Sequence, residues 1–299
     1  MVPFRYRAYG LIFESQFECP ELVAVSDGQP DVFVAEGHVP EQLENPTRAG
    51  FKFQARADQL LIKTNYIANI LISQGNRITI QPKAGAHPDN VRALFLGWGI
   101  AALLHQRNTL PLHGSVVNVG DECVAFCAPS GTGKSSLAAL FVNRGYALLD
   151  DNIVAIVPSD SGHGVYPGCP VIKLPDDVVR RPDYAFVTPG RYQSALRKFP
   201  MSVCQELPAR PQPLKKIYIL TRGRRPDFAL KPLNGGAKFR SLMKNVFCSQ
   251  FLHGMGKLSD QFRNIESLAA NTPMAEVRLP DWPTPYEHVA QLLEQDFTR

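Results

Sequence analysis

The sequence lacks an unbroken apolar run long enough to cross a membrane. The nearest candidate, ALFLGWGIAALL at residues 93–104, falls short of the roughly 18 residues that a membrane helix needs. The first residues alternate in character and contain no apolar core of signal-peptide length. We therefore expect a cytoplasmic protein with no membrane partner, in which residues 93–104 belong to a buried helix.

Charge of one sign is also scarce. The chain has 32 Lys and Arg against 27 Asp and Glu, for a net charge of +5, which is too small an excess for a typical nucleic-acid-binding protein. It suits a smaller anionic ligand such as a nucleotide. Hydrophobic residues make up 44% of the 299 residues, so a compact fold of one or two domains is expected.

The six cysteines do not form a zinc-ligand pattern with histidine. Cys123 and Cys127 are four residues apart and flank VAF, which is typical of a strand. Unpaired cysteine often behaves as a small apolar residue, so buried thiols in a reducing compartment are expected.

Residues 1–86 predict a β-rich N-terminal region with a possible role in substrate recognition. Its segments alternate in polarity or carry β-branched and aromatic residues, as in ILISQGNRITI at 70–80, where QGN indicates a hairpin turn. Residues 88–106 then predict a helix, because Pro and Asp begin an apolar run that ends in basic residues.

Residues 87–299 predict a second region of alternating strands and helices. The order strand, glycine-rich loop, helix, strand over residues 122–158 is typical of a βαβ unit, which gives an α/β fold class. Proline-rich residues 158–212 predict long surface loops. The remaining predicted elements are a strand at 215–222, helices at 237–248 and 257–271, a strand at 274–280 and a helix at 284–297.

The segment APSGTGKS at residues 128–135 fits the phosphate-binding pattern G-x-x-x-x-G-K-[ST], with Ala128 in place of the first glycine. Backbone N–H groups and the start of the following helix favour a phosphate there. Lys134 can reach the β- and γ-phosphates, and Ser135 can bind Mg²⁺. The predicted nucleotide-binding residues are Ser130, Gly131, Thr132, Gly133, Lys134, Ser135 and Ser136.

Two acidic residues follow the apolar residues of the next predicted strand. At the carboxyl end of a neighbouring strand, Asp150 and Asp151 would lie close to the γ-phosphate. One carboxylate could hold the metal, with Ser135, and another could accept a proton from an attacking hydroxyl. An acidic turn is the alternative. His113, at the start of the preceding strand, is either an active-site residue or a structural one.

These residues resemble a known family. HGSVV at 113–117 followed by GTGKSSLAALFVNRGYALLDDN at 131–152 is similar to the catalytic domain of HPr kinase/phosphorylase, a bacterial enzyme that phosphorylates a serine of a phosphocarrier protein. The resemblance implies a P-loop kinase domain over 87–299, with ATP and Mg²⁺ as cofactors and Lys134 in catalysis. It also implies Asp151 as the proton acceptor, His113 beside it, and a homo-oligomer.

The resemblance is strongest over residues 110–157 and does not extend to the first 85 residues. The family's Glu-x-Arg-Gly segment is absent, which leaves Asp176 or Asp177 as candidates for a second metal carboxylate. The overall layout is similar to shorter HPr-kinase-like proteins that phosphorylate the C-terminal serine of lasso-peptide precursors. That similarity implies a serine on a peptide or small protein as the acceptor.

Basic residues of GRYQSALRKFP, namely Arg191, Arg197 and Lys198, are placed either on the acceptor side or in a solvated loop.

Two other functions stay open. A P-loop ATPase or nucleotide switch would need a Walker-B aspartate. A GTPase would also need an Asn-Lys-x-Asp segment, and the chain lacks that segment. An inactive nucleotide-binding module is compatible with Asn152 in place of a second family aspartate. The favoured interpretation is an ATP-dependent serine kinase.

Overall fold

The computed structural model describes residues 3–160, 162–187, 198–202, 207–222, 228–279 and 286–298. The chain divides into two compact units. The first contains Met1–Pro111 and Phe247–Asn264, and the second contains Leu112–Val246 and Ile265–Arg299. This division falls at residue 111, beyond the predicted boundary at 86, and assigns the first helical segment to the first unit.

The first unit contains a nine-stranded sheet. Its strands are β1 (Phe4–Ala8), β2 (Leu11–Ser15), β3 (Val23–Ala24), β4 (Val32–Glu36), β5 (Arg48–Gly50), β6 (Phe53–Arg56), β7 (Gln59–Lys63), β8 (Ala68–Ser73) and β9 (Arg77–Pro82). They lie in the order β3-β1-β2-β4-β9-β8-β7-β6-β5, and only β4 pairs in parallel, with β2 and β9. The predicted β-rich, mostly antiparallel character of this region is confirmed.

The predicted QGN turn joins β8 to β9. Gln74 and Gly75 have φ angles of 55° and 65°, the left-handed conformation that tight hairpins require. Buried residues alternate with partly exposed ones along β2 and β6. The sheet therefore buries one face of these strands, as their sequence pattern indicates.

The predicted helix over 88–106 is helical throughout but not uniform. Helix α1 (Pro88–Leu94) continues into a π-helical segment at Phe95–Gly99 and then into α2 (Ile100–Gln106). The π-helical segment, FLGWG, contains two glycines, which weaken regular α-helical geometry. Ile100–His105 are all buried, as the apolar sequence predicts.

The second unit is built on a seven-stranded sheet with helices, which confirms the predicted α/β fold class. Its strands, including two that pair separately, are β10 (Leu110–Val119), β11 (Glu122–Cys127), β12 (Leu148–Ser159), β13 (Gly162–Tyr166), β14 (Val171–Pro175), β15 (Lys198–Ser202), β16 (Gln212–Arg222), β17 (Ala229–Pro232) and β18 (Met274–Leu279). The remaining helices are α3 (Lys134–Asn143), α4 (Asp176–Val179), α5 (Gly236–Asn245), α6 (Leu258–Asn271), which continues from the first unit into the second, and α7 (Tyr286–Phe297).

In this sheet β11 has β10 on one side and β16 on the other. The order is β11-β10-β12-β13-β16-β18-β17, and β11 also pairs with β16. Strands β11, β16 and β18 run parallel, whereas β10 runs antiparallel to β11. Because β12 is antiparallel to β13, which is antiparallel to β16, β12 runs in the same direction as β11.

Aromatic packing fixes α3 and α7 against the sheet. The ring of Phe126 on β11 stacks on Phe141 of α3 and on Tyr218 of β16, with centroids 5.2 and 5.5 Å apart. Phe297 of α7 lies against Phe141, with centroids 5.4 Å apart. All four side chains are fully or almost fully buried, so they hold the strand and helix on either side of the glycine-rich loop in a fixed relation.

Two sequence expectations are wrong. Residues 158–212 were expected to form surface loops, yet their described part contains β13, β14, α4, a 3₁₀ turn at Pro182–Tyr184 and β15. Pro167 and Pro170 lie between β13 and β14, whereas Pro175 and Pro200 lie in β14 and β15 themselves. These two strands pair only with each other in the described sheets, so each is an edge strand, where a missing N–H is tolerated. Asp150 and Asp151 were expected just beyond a strand, yet both lie inside β12, which is continuous from Leu148 to Ser159.

None of the described helices is long and apolar enough to span a membrane. The five cysteines within the described ranges are buried thiols, as predicted. Cys204 lies outside those ranges.

Candidate functional site

The glycine-rich loop joins β11 to α3 in the predicted strand, loop, helix order. Gly131 and Gly133 have φ angles of 81° and 119°, in the left-handed region that favours glycine. Helix α3 begins at Lys134, and no side chain caps its first turn. The N–H groups of that turn have no partner within the helix, so this end favours an anion.

The Lys134 side chain is buried against the loop. Its Nζ donates hydrogen bonds to the backbone oxygens of Ala128 at 2.8 Å and Pro129 at 3.0 Å. These carbonyls are neutral, so a phosphate oxygen would be a stronger partner for the ammonium group. The contact between Lys134 and the β- and γ-phosphates stays a prediction.

The predicted serine and threonine residues lie in the loop or in the first turn of α3. Thr132 Oγ1 donates to the Pro129 oxygen at 2.9 Å, which closes a short turn ahead of Gly133. Ser136 is buried in the first turn of α3, and its backbone oxygen accepts the Tyr184 hydroxyl at 3.1 Å. Ser130 is exposed and Ser135 is half-buried, so both lie where a ligand could reach them.

Asp151 is a buried carboxylate with a defined orientation. Ser115 Oγ on β10 donates to Asp151 Oδ1 at 2.5 Å, and the Lys173 backbone N–H donates to Oδ2 at 3.3 Å. Ser115 is fully buried and lies opposite Phe126 on β11, so this carboxylate is level with the end of the strand that leads into the loop. Asp151 thus lies within a strand and not beyond one, and its predicted place beside a γ-phosphate stays a prediction.

Asp150 faces different partners. Its carboxylate is fully buried and accepts the backbone N–H of Ile153 at 2.8 Å and of Cys169 at 2.7 Å, one on each oxygen. These bonds satisfy a buried charge locally, which explains why the strand continues through two adjacent aspartates. A role for Asp150 in metal binding stays a prediction.

His113 lies two residues before Ser115 on the same strand. Its Nδ1 is 3.2 Å from the Asn152 backbone oxygen. Because a carbonyl only accepts, Nδ1 must carry the hydrogen of this bond. The imidazole is thereby oriented next to the residue that follows Asp151.

The described residues contain no cluster of three or more His, Cys, Asp and Glu side chains that could hold a metal ion. A P-loop magnesium site does not need one, since most of its ligands come from phosphates and water. The oxygen donors of Ser135 and Asp151 suit Mg²⁺ in that arrangement. Asp176 and Asp177, at the start of α4, form ion pairs with residues that follow the helix, Arg180 at 2.8 Å and Arg181 at 3.2 Å.

Sequence reasoning missed three residues near the loop. Ser115 was part of the HGSVV segment but was not singled out. Arg222, which was predicted only as the last residue of a strand, donates from Nε to the Thr132 oxygen at 3.3 Å. Tyr286 begins α7 and lies against Gly133, where an added Cβ would be 3.1 Å from the ring. These contacts join segments that are far apart in the chain, so only Ser115, in the HGSVV segment, carried a local sequence signal.

The structure does not test the predicted role of three other basic residues. Arg191 and Arg197 lie outside the described residues, and Lys198 is the first residue of β15. Their predicted role toward an acceptor stays a prediction.

No protein-family model matches the chain, and no curated protein matches it. Among solved structures, the chain is similar to the HPr(Ser) kinase/phosphatase from Coxiella burnetii, with 9% sequence identity and a TM-score of 0.31. The match covers 62% of this chain and 95% of that one. At this TM-score the likeness adds nothing to the fold assignment, which rests on the strands and helices described above.

Proposed function

We propose that the protein is an ATP-dependent kinase that transfers the γ-phosphate to a serine hydroxyl of a peptide or small protein. The observation that carries the proposal is the position of Asp151. A buried carboxylate, oriented by Ser115 at 2.5 Å, lies level with the end of the strand that enters a phosphate-binding loop. Phosphoryl transfer needs phosphate positioning and a proton acceptor at that place.

The nucleotide would be held by the loop and the start of α3. Left-handed Gly131 and Gly133 allow successive N–H groups to face one anion, and Lys134 would exchange its backbone carbonyl partners for phosphate oxygens. Ser135 would bind the Mg²⁺ directly and Asp151 only through water, so that the Asp151 carboxylate keeps an oxygen to accept a proton. When bound, the metal neutralises part of the charge on the phosphates.

Asp151 would act as the general base. It would accept the proton of the serine hydroxyl as that oxygen forms a bond to the γ-phosphorus and the bond to the β-phosphate oxygen breaks. The Ser115 hydrogen bond to Oδ1 fixes the orientation of the carboxylate group, and therefore also the position of Oδ2. His113, oriented through Asn152, would lie beside this pair and assist in positioning the acceptor.

The identity of the acceptor rests on the resemblance to HPr-kinase-like proteins. The HGSVV and GTGKSS segments together with the β-rich first unit support a peptide acceptor, with a lasso-peptide precursor as the specific proposal. A cytoplasmic location and a homo-oligomeric state belong to the same proposal.

The test is transfer of labelled γ-phosphate from ATP with Mg²⁺ into serine-containing peptides and host lysate. Wild type should label serine. Asp151→Asn should bind ATP with unchanged affinity yet transfer roughly 10²- to 10⁴-fold more slowly, because the amide cannot accept the proton. Lys134→Ala should lose nucleotide binding.

Asp151→Asn is a conservative control for folding, because an asparagine oxygen can still accept the Ser115 hydroxyl. Transfer at the wild-type rate in this variant would exclude Asp151 as the base. Release of free phosphate without a labelled acceptor would instead indicate an ATPase, and nucleotide binding without either product would indicate an inactive binding module.

A further inference from the structure

The carboxyl ends of β16 and β18 meet at the phosphate-binding loop. Arg222, the last residue of β16, is paired in register with Leu279, the last residue of β18. A Cβ added to Gly133 would lie 3.3 Å from the Leu279 side chain and 3.1 Å from the Tyr286 ring. These two strand ends and the start of α7 therefore form one wall of the loop.

Arg222 lies on this wall, and its hydrogen-bond partners among the described residues are neutral. Its Nε donates to the Thr132 backbone oxygen and its Nη2 donates to the Tyr286 hydroxyl, both at 3.3 Å. Within the described residues it forms no ion pair, although Arg144 in the same unit pairs with Glu287 at 2.8 Å. Arg222 is also solvent-exposed. An exposed guanidinium held by neutral oxygens beside a phosphate-binding loop is available to an anionic ligand.

Sheet order determines which part of a nucleotide would lie there. Asp151 is on β12, separated from β11 by β10, whereas Arg222 is on β16, the neighbour of β11 on the other side. Strand β13 pairs with β16 only at the first two residues of β16, Gln212 and Pro213, which are at the opposite end of β16 from Arg222. At the loop, Asp151 and Arg222 are therefore on opposite sides of β11.

A nucleotide with its γ-phosphate near Asp151 and its other phosphates along the loop would place its nucleoside toward β16 and β18. This direction rests on the proposed function, because that function places the transferred phosphate next to Asp151. The α- and β-phosphates and the nucleoside then extend toward Arg222. Tyr286 holds the guanidinium in position and is itself buried.

We propose that Arg222 is a nucleotide-binding residue on the nucleoside side of the site, where it contacts the α- or β-phosphate and so binds ADP as well as ATP. The bound guanidinium would exchange the Thr132 carbonyl for a charged oxygen. This contact is made before and after transfer, so it contributes to binding and not to the chemical step.

The test compares the affinities of Mg-ADP and Mg-ATP for wild type, Arg222→Ala and Arg222→Lys by calorimetry, with transfer rates at saturating ATP. Arg222→Ala should weaken both nucleotides by a similar factor of about 10, as expected for a lost hydrogen bond to a charged group. Arg222→Lys keeps the charge but not the two-pronged geometry, so it should recover part of the affinity. The maximal transfer rate should stay within about three-fold of wild type, because uniform binding does not change the chemical step.

Arg210→Ala is the matched control. Arg210 is an exposed arginine just before the start of β16, whereas Arg222 is the last residue of that strand. The variant therefore removes one positive charge at the end of β16 that is far from the loop. It should leave both affinities unchanged.

Loss of ATP affinity with unchanged ADP affinity, or a large fall in maximal rate, would place Arg222 at the γ-phosphate and overturn the inference. Unchanged affinities in Arg222→Ala would overturn it as well. If wild type binds ADP but transfers no phosphate, the kinase proposal fails and the ADP comparison still decides the role of Arg222. A wild type that binds neither nucleotide overturns both.

Discussion

At the scale of single residues, each polar group near the loop is oriented by a specific partner. Asp151 is held by Ser115, His113 by the Asn152 carbonyl and Lys134 by the Ala128 carbonyl. Buried polar groups cost free energy unless they are hydrogen-bonded, so these bonds select one side-chain orientation each. The candidate base is therefore oriented by the protein itself.

Ser115 is expected to act as a positioning residue. Ser115→Ala removes the hydroxyl that donates to Asp151 Oδ1, so the transfer rate should fall by about 10-fold, the scale of one lost hydrogen bond to a charged group. Nucleotide affinity should not change. The maximal transfer rate is measured by steady-state kinetics, and the ATP dissociation constant is measured separately by calorimetry.

The control for Ser115 is the same substitution in an Asp151→Asn background. If Ser115 works through Asp151, the second substitution should have little further effect on the rate, because the two groups act as a unit. Full additivity would assign Ser115 a separate, structural role.

At the scale of elements, α7 is fixed to α3 and to the sheet by a polar network. Arg144 at the end of α3 pairs with Glu294 and with Glu287 of α7, and the Tyr146 hydroxyl donates to Glu294 at 2.7 Å. Burial, and then the bond to Glu294, raise the pKa of Tyr146 to about 12, so its hydroxyl stays a donor at neutral pH. Since Tyr286 begins the same helix, this network also determines where the wall of the loop lies.

Glu294→Ala should destabilise the protein more than Glu287→Ala. Glu294 has two partners and a side chain that is 31% exposed, whereas Glu287 is 52% exposed. Because exposed pairs contribute little, we expect about 1 kcal/mol for Glu294 and a few tenths for Glu287. Thermal unfolding measures both. Equal shifts in the two variants would show that the network adds nothing beyond a surface pair.

At the scale of the whole molecule, buried histidine makes stability depend on pH. In the first unit, His105 is fully buried, and its Nε2 donates to the Phe247 oxygen at 2.8 Å. Its Nδ1 is buried with no hydrogen-bond partner in the described part of the chain. Burial therefore lowers the pKa of His105 from 6.5 to about 4, against the smaller opposite effect of the Phe247 bond.

The sign of the effect follows from which state binds the proton. The unfolded chain takes up a proton near pH 6.5, whereas the folded protein resists it until about pH 4, so stability is complete above pH 6.5 and falls as the pH is lowered toward 4. The loss attributable to His105 should be about 2 kcal/mol between pH 7 and pH 5.

His105→Gln provides the matched variant, because its amide can donate to the Phe247 oxygen without titrating. Denaturant unfolding at pH 7 and pH 5 should show a smaller pH dependence in this variant than in wild type. The same pH dependence in both proteins would assign the acid sensitivity to other groups.

The sequence by itself determined the β-rich first region, the α/β class, and the loop with its following helix. Alternation of side chains, a glycine pair that permits left-handed backbone, and Lys134 at the start of an apolar helix are local signals, so they can be read without contacts. The same local reasoning failed over residues 158–212, where prolines in and beside short strands were interpreted as a sign of loops.

Only the tertiary structure decided which side chains meet. Asp150 and Asp151 are adjacent in sequence, yet one accepts backbone N–H groups and the other accepts Ser115 from another strand. Arg222 and Tyr286 reach the loop from distant segments through the parallel order of β11, β16 and β18. Side chains alternate across a strand and strands pair without regard to sequence distance, so strand order and register decide the candidate site, and neither is a local property.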